Sequence, residues 1–214
     1  GSPTTAARAF APILISQWRW NYEFFVTDQF KVTPWLTLDL GVRYEVRPYW
    51  RDRDGRQSIF DVASGSIVIA DGGTKELSSL MPAGFVPVIT ANQAGLPSQT
   101  LIRTDRNNIA PRIGVALRPW GSRTVFRTGF GMFYDTVPIE TTVAGVPFQI
   151  SEPNFTNPAN NPSVVLPLVF PNTSGRPSSV SLPTAISPSL RIPYSMQWNF
   201  TIEHERWNTG FRAS

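Results

Sequence analysis

Apolar and polar residues alternate with a period of two in several separate stretches of this chain. From Trp18 one set of alternate positions reads Trp18, Trp20, Tyr22, Phe24, Val26, and the other reads Arg19, Asn21, Glu23, Phe25, Thr27. Beyond Thr33-Pro34 the alternation resumes, with Leu36, Leu38, Leu40, Val42, Tyr44 and Val46 against Thr37, Asp39, Gly41, Arg43 and Glu45. Successive side chains of a strand point to opposite faces, so this is the pattern of a hairpin with one apolar and one charged face. It predicts strands over about 17–32 and 35–46. The same reading predicts strands over about 108–118, 123–134 and 194–206, after which Trp207-Asn208-Thr209-Gly210 turns the chain into a sixth. The expected fold class is all-β: an antiparallel up-and-down meander.

The connections differ in length in a regular way. Those at 33–34, 119–122 and 207–210 are tight, while 47–106 and 135–193 each run to about 60 residues. In a meander all the tight turns then lie at one end of the sheet and both long loops at the other. Outer-membrane barrels show this asymmetry, with short periplasmic turns and long external loops. Within 47–106 a small hairpin is expected, Ser58–Asp61 against Ser66–Ile69 around Ala63-Ser64-Gly65. The rest of both loops is rich in Pro, Asn, Ser and Gly and is read as irregular, a length that signals function or disorder.

Composition sharpens the picture. Charged residues make up 16% of the 214, low against the roughly 25% of soluble domains. Aromatics reach 12%, including seven Trp, of which Trp35, Trp120 and Trp207 each sit at a tight turn. Trp18, Trp20, Tyr22, Tyr44, Tyr134, Tyr194 and Trp198 fall toward the long-loop ends. Two aromatic belts around an aliphatic band suit rings that keep an apolar body in lipid and a polar edge among headgroups. No apolar run approaches the roughly 18 residues of a membrane helix, a signal that barrel strands never produce. With no cysteine there is no disulfide, thiol chemistry or Cys-based metal site. The net charge of +4 comes mainly from Arg spread along the chain, which does not make a nucleic-acid footprint.

Two readings of the two-faced sheet follow. In a transmembrane barrel, Trp18, Trp20, Tyr22, Phe24, Leu36, Leu38 and Leu40 would face outer-membrane lipid, and Arg19, Glu23, Asp39, Arg43, Glu45, Arg112 and Arg127 would face a wet lumen. In a secreted or surface all-β binding or adhesion module, the apolar face would instead pack into an ordinary core. The chain opens Gly1-Ser2-Pro3, without an initiator Met or signal peptide, and stops in mid-pattern at Phe211–Ser214, so a piece of a longer protein is expected.

Four blocks resemble a known family: residues 24–45 from Phe24-Phe25-Val26-Thr27-Asp28, then Asn108-Ile109-Ala110-Pro111-Arg112-Ile113-Gly114, residues 124–135, and Pro193-Tyr194-Ser195-Met196-Gln197-Trp198-Asn199. In this order they are similar to barrel strands of TonB-dependent outer-membrane receptors, particularly the Oar-like group with a carboxypeptidase-regulatory-like N-terminal domain. The resemblance implies a Gram-negative outer-membrane importer of about 22 strands. It also implies two partners reached through the parent protein: a plug domain inside the barrel and the TonB complex, contacted by a TonB box. Neither plug nor TonB box is seen in this chain.

No enzymatic chemistry is expected. His204 lies between Glu203 and Glu205 without a second His, and a catalytic or metal site needs several converging groups. Asp52 and Asp54 precede Gly55 too closely for a calcium loop, and no Glu closes the frame. The expectation is therefore no catalytic, metal or cofactor residue. The external ligand, of unknown kind, is expected to be met by loop residues, with Trp50, Arg51, Asp52, Arg53, Asp54, Phe148, Asn154 and Phe155 as candidate contacts.

Overall fold

The computed structural model describes residues 4–6, 9–10, 15–121, 123–136, 145–151, 155–157 and 180–214. The chain forms two compact units. One comprises Trp20–Pro48, Thr104–Val137 and Arg191–Ser214; the other comprises Gly1–Arg19, Tyr49–Arg103 and Pro138–Leu190.

The first unit is a single antiparallel sheet. Its strands are β1 (Tyr22–Thr33), β2 (Leu36–Val46), β3 (Asn108–Leu117), β4 (Thr124–Tyr134), β5 (Tyr194–Arg206) and β6 (Thr209–Ala213), and each pairs with its neighbours in chain order. The five long strands run 10 to 13 residues, close to the roughly 9–11 that a tilted strand needs to cross a bilayer. The expected strands are present, with one correction. The strand expected over 17–32 is interrupted: Gln17–Trp18 pairs instead with Arg51–Asp52 in the second unit, and β1 begins at Tyr22. Trp18 and Arg19 therefore leave the sheet, Trp18 from its apolar face and Arg19 from its polar one. Trp20, exposed, precedes β1 rather than forming part of it.

Because directly paired residues share a face, the register carries each face across the sheet. One row runs Phe30, Leu38, Val115, Thr128, Phe200; a row on the other face runs Thr27, Gly41, Arg112, Gly131, Gln197. No strand slips by one residue between β2 and β5, so apolar and polar positions stay separated. One lapse is Asp28, which opposes Leu40 on the apolar face. That face is exposed, with Phe24 and Val26 each at 64% and Trp198 at 80%. Contiguous exposed apolar surface on this scale is not left to water.

The second unit holds nearly all of the buried apolar side chains and corrects the expectation of irregular loops. The small hairpin forms where the pattern placed it, Ser58–Asp61 against Ser66–Ile69, and Val88–Thr90 adds a third, parallel strand. The middle strand is buried on both sides. Ile67 and Ile69 pack with Leu80, Val146, Phe148 and Ile150, while Val68 packs with Ile59, Ala70, Ala91 and Leu101. Both long connections thus contribute to one core. Backbone bonds tie them further: Ser78 N–H donates to the Pro147 carbonyl at 3.0 Å, Phe60 to Thr184 at 3.2 Å, and Arg103 to Pro188 at 2.8 Å. A 3-10 turn over Asp71–Glu76 follows the middle strand.

Candidate functional site

Two surfaces carry the polar chemistry, one in each unit. On the polar face of the sheet, the register sets Glu23 directly opposite Glu45. Two carboxylates so placed repel. Arg43 and Arg47 lie on either side of Glu45 along β2 and its extension, and each contacts both acids. Arg43 contacts Glu23 and approaches Glu45 Oε1 at 2.6 Å, while Arg47 lies 3.1 Å from Glu23 Oε1 and 2.7 Å from Glu45 Oε2. The contacts to Glu45 are held by charge rather than by aligned hydrogen bonds. Further along the face, Arg127 lies 3.3 Å from Glu203.

Between these pairs the wall is thin. Gly41, Gly114, Gly129 and Gly131 line a trough of about 680 Å3 together with Thr27, Asp39, Arg112, Phe133, Gln197 and Asn199. Gly131 makes room for Phe133, since a Cβ there would come within 3.0 Å of the ring. The Arg112 guanidinium lies over that ring at 4.9 Å, so an aromatic shelf holds the cation in place. Glu23, Asp39, Arg43, Glu45, Arg112 and Arg127 thus share one face. Arg19 stacks on Trp50 in the second unit, 4.5 Å from the ring centroid.

In the second unit the short Gln17–Trp18/Arg51–Asp52 ribbon and the residues flanking it carry five of the candidate loop residues, Trp50 to Asp54. Arg51 lies 5.3 Å from the Trp18 ring centroid, and the Arg19–Trp50 stack involves the next residue along each strand, just beyond the ribbon. Arg53 is exposed and approaches Asp54 at 3.4 Å, and Asp54 also pairs with Arg56 at 2.8 Å. Arg56 in turn reaches Glu76 at 3.1 Å.

Two candidates are placed away from solvent. Asp52 is buried and accepts the backbone N–H groups of Ser16 (3.1 Å), Asp54 (3.2 Å) and Arg56 (3.0 Å), which commits its carboxylate to holding the loop. Phe148 is fully buried in the core and offers no surface to a solute. Asn154 lies outside the described residues. The Phe155 backbone pairs with Ala6, and its side chain is outside the described residues. Among the described residues no group of three or more His, Cys, Asp or Glu side chains converges as a metal set would.

The family described as "Outer membrane beta barrel domain" matches residues 1–214. The chain belongs to this family. No curated protein and no solved structure matches it. The barrel segment is therefore an outer-membrane protein, and its exposed apolar face is the kind of surface that such barrels turn to hydrocarbon. Sequence reasoning missed the glycine trough as a unit because its members lie on three strands. The visible signal was Gly129 and Gly131 at alternate positions, which thin one face of a strand.

Proposed function

We propose that this barrel segment is part of the wall and external surface of a TonB-dependent importer that takes up a solute and does no covalent chemistry on it. In this reading the polar face, with Glu23, Asp39, Arg43, Glu45, Arg112 and Arg127, lines the lumen against a plug supplied by the parent protein. The second unit is the capture surface, and its Arg51–Trp18 and Arg19–Trp50 stacks are the contacts of choice, with Arg53 and Asp54 beside them. The Arg51 guanidinium over Trp18 can meet a carboxylate or phosphate, and the Trp rings offer a flat apolar surface.

The observation that carries the reading is the core that described residues of both long connections share. A pore does not require a core inside its loops, whereas here Ile67, Ile69 and Leu80 of one connection pack with Val146, Phe148 and Ile150 of the other. The four blocks of resemblance supply the direction, an energised receptor rather than a passive channel.

The test compares three strains across a panel of nutrient sources: one intact, one lacking the gene and one lacking the TonB complex. Loss of the gene should impair growth on a scarce solute, and loss of the energy complex should reproduce that defect. Growth on that solute that needs the gene but survives without the energy complex would refute import by this route.

A further inference from the structure

The β5–β6 hairpin closes through Arg206↔Thr209, leaving Trp207 and Asn208 as the two turn residues. Both have left-handed backbones, φ +52° at Trp207 and +58° at Asn208. Such mirror-image turns match the twist of a hairpin, and they favour Asn, Asp and Gly. Asn208 suits its place. Trp207 does not, because a bulky side chain meets its own carbonyl in this conformation. A residue kept against backbone preference points to a role for its side chain.

That side chain is 78% exposed, and the Arg206 guanidinium lies 3.9 Å from its ring centroid. The register places Arg206 on the same face as His204 and Phe211, the exposed apolar face that barrels of this family turn to lipid. The neighbouring acids, Glu203 and Glu205, point to the other face, and Glu203 is approached by Arg127 and Arg212. Among the described residues Arg206 therefore has an aromatic support and no anion. It stands at the turn end of the lipid-facing wall, where hydrocarbon gives way to headgroups. There the group that matches a guanidinium fork is a phosphodiester, held by paired N–H donors while the indole keeps its body in the acyl region.

We propose that Arg206 and Trp207 form a site for the phosphodiester of a phospholipid headgroup. The ring holds the guanidinium at headgroup level, and the strained turn is tolerated because it aims the ring there. The site rests on the outer-membrane location and the facing of β5 and β6, and it does not depend on import.

The test follows the unfolding temperature of the complete detergent-purified protein during titration with phosphatidylglycerol. The wild type should show a saturable rise with this lipid, and none with inorganic phosphate or with diacylglycerol at matched concentrations. Arg206→Gln should weaken the apparent lipid affinity by roughly five- to tenfold, the size of one charge-assisted contact. Trp207→Asn separates a lipid role from a structural one. Asn suits the turn, so the lipid-free protein should unfold at the same or a higher temperature, yet its lipid response should weaken as in Arg206→Gln. Heat-modifiable gel mobility is read first, and if Arg206→Gln does not fold, Trp207→Asn decides. An unchanged lipid titration in the folded variants would overturn the proposal. So would an equal rise with inorganic phosphate, which marks a free-anion site, or with diacylglycerol, which marks an acyl-chain effect.

Discussion

Phe148→Ala is the sharpest test of whether the two long connections fold as one unit. Phe148 comes from the second connection and is fully buried against Ile67, Ile69 and Leu80 of the first. Removing the ring loses about 1.5–3 kcal/mol of apolar transfer, and the unfilled cavity raises the total to about 3–5 kcal/mol. The ring also lies against Gly73, whose position a Cβ could not share, so neighbours have little freedom to collapse into the gap. If opening of the unit governs exchange, that cost raises the open population by roughly two to three and a half orders of magnitude. The assay is hydrogen–deuterium exchange on the complete protein in detergent micelles, followed in peptides covering residues 58–69 and 88–90. Exchange there should accelerate by roughly a hundredfold or more, while β2 to β4 keep wild-type protection. Unchanged exchange over 58–69 would mean that Phe148 does not hold the two connections together, and the folded loop unit would be wrong.

Gly73→Ala should open the same unit by about 1–3 kcal/mol, because the new Cβ would lie 2.4 Å from the Gly55 carbonyl oxygen; wild-type exchange in that variant would contradict it. Arg47→Ala leaves Glu23 facing Glu45 with one cation fewer and should lower barrel stability in urea by about 1–2 kcal/mol, discounted because Glu23 is partly exposed. Adding Glu23→Gln should recover part of that loss, and strict additivity in the double-mutant cycle would argue against a coupled network. The Asp61 carboxyl is held below its usual range by the Ser64 hydroxyl at 2.6 Å, with further help from the Ala63 and Ser64 N–H groups. A depressed carboxylate stabilises the fold above the unfolded value of about 3.9 and loses that contribution as pH falls through the folded one. Its carboxyl carbon-13 shift should accordingly titrate below free Asp, and an ordinary midpoint would remove the turn's pH dependence.

The sheet was legible because its information is local. Alternation from Leu36 to Val46 or from Tyr194 to Ile202 repeats every second residue, and the starts of β2, β4 and β5 are marked by Pro or a tight turn. Each strand boundary from β2 to β5 therefore fell within a residue of its expectation. The failure at 17–21 is instructive. Trp18 and Arg19 keep the alternation, and nothing local separates them from β1. What interrupts the strand is a competing partner, the Arg51–Asp52 segment, reinforced by two Arg–Trp stacks and by Asp52 capping the Ser16 amide. A period-two pattern reports that a segment is extended and says nothing about which strand it pairs with.

The loop unit was hidden for the opposite reason: its contacts join residues far apart in the chain, as when the Ser58 hydroxyl donates to the Val146 carbonyl across 88 positions. One local sign was available. Ile67-Val68-Ile69-Ala70 is an unbroken apolar run inside a polar connection, and a strand apolar on both faces needs cover on both sides. A two-stranded hairpin in an irregular loop cannot supply that cover, so the run already required a larger folded body. The consequence reaches function. If the second unit is the capture surface proposed above, its core holds Trp18, Arg51, Arg19 and Trp50 in place before a solute arrives. Binding then avoids much of the ordering cost that loose loops of this length would impose. Loosening the unit through Phe148→Ala should accordingly weaken capture even though Phe148 touches no ligand, and it should do so without disturbing the wall.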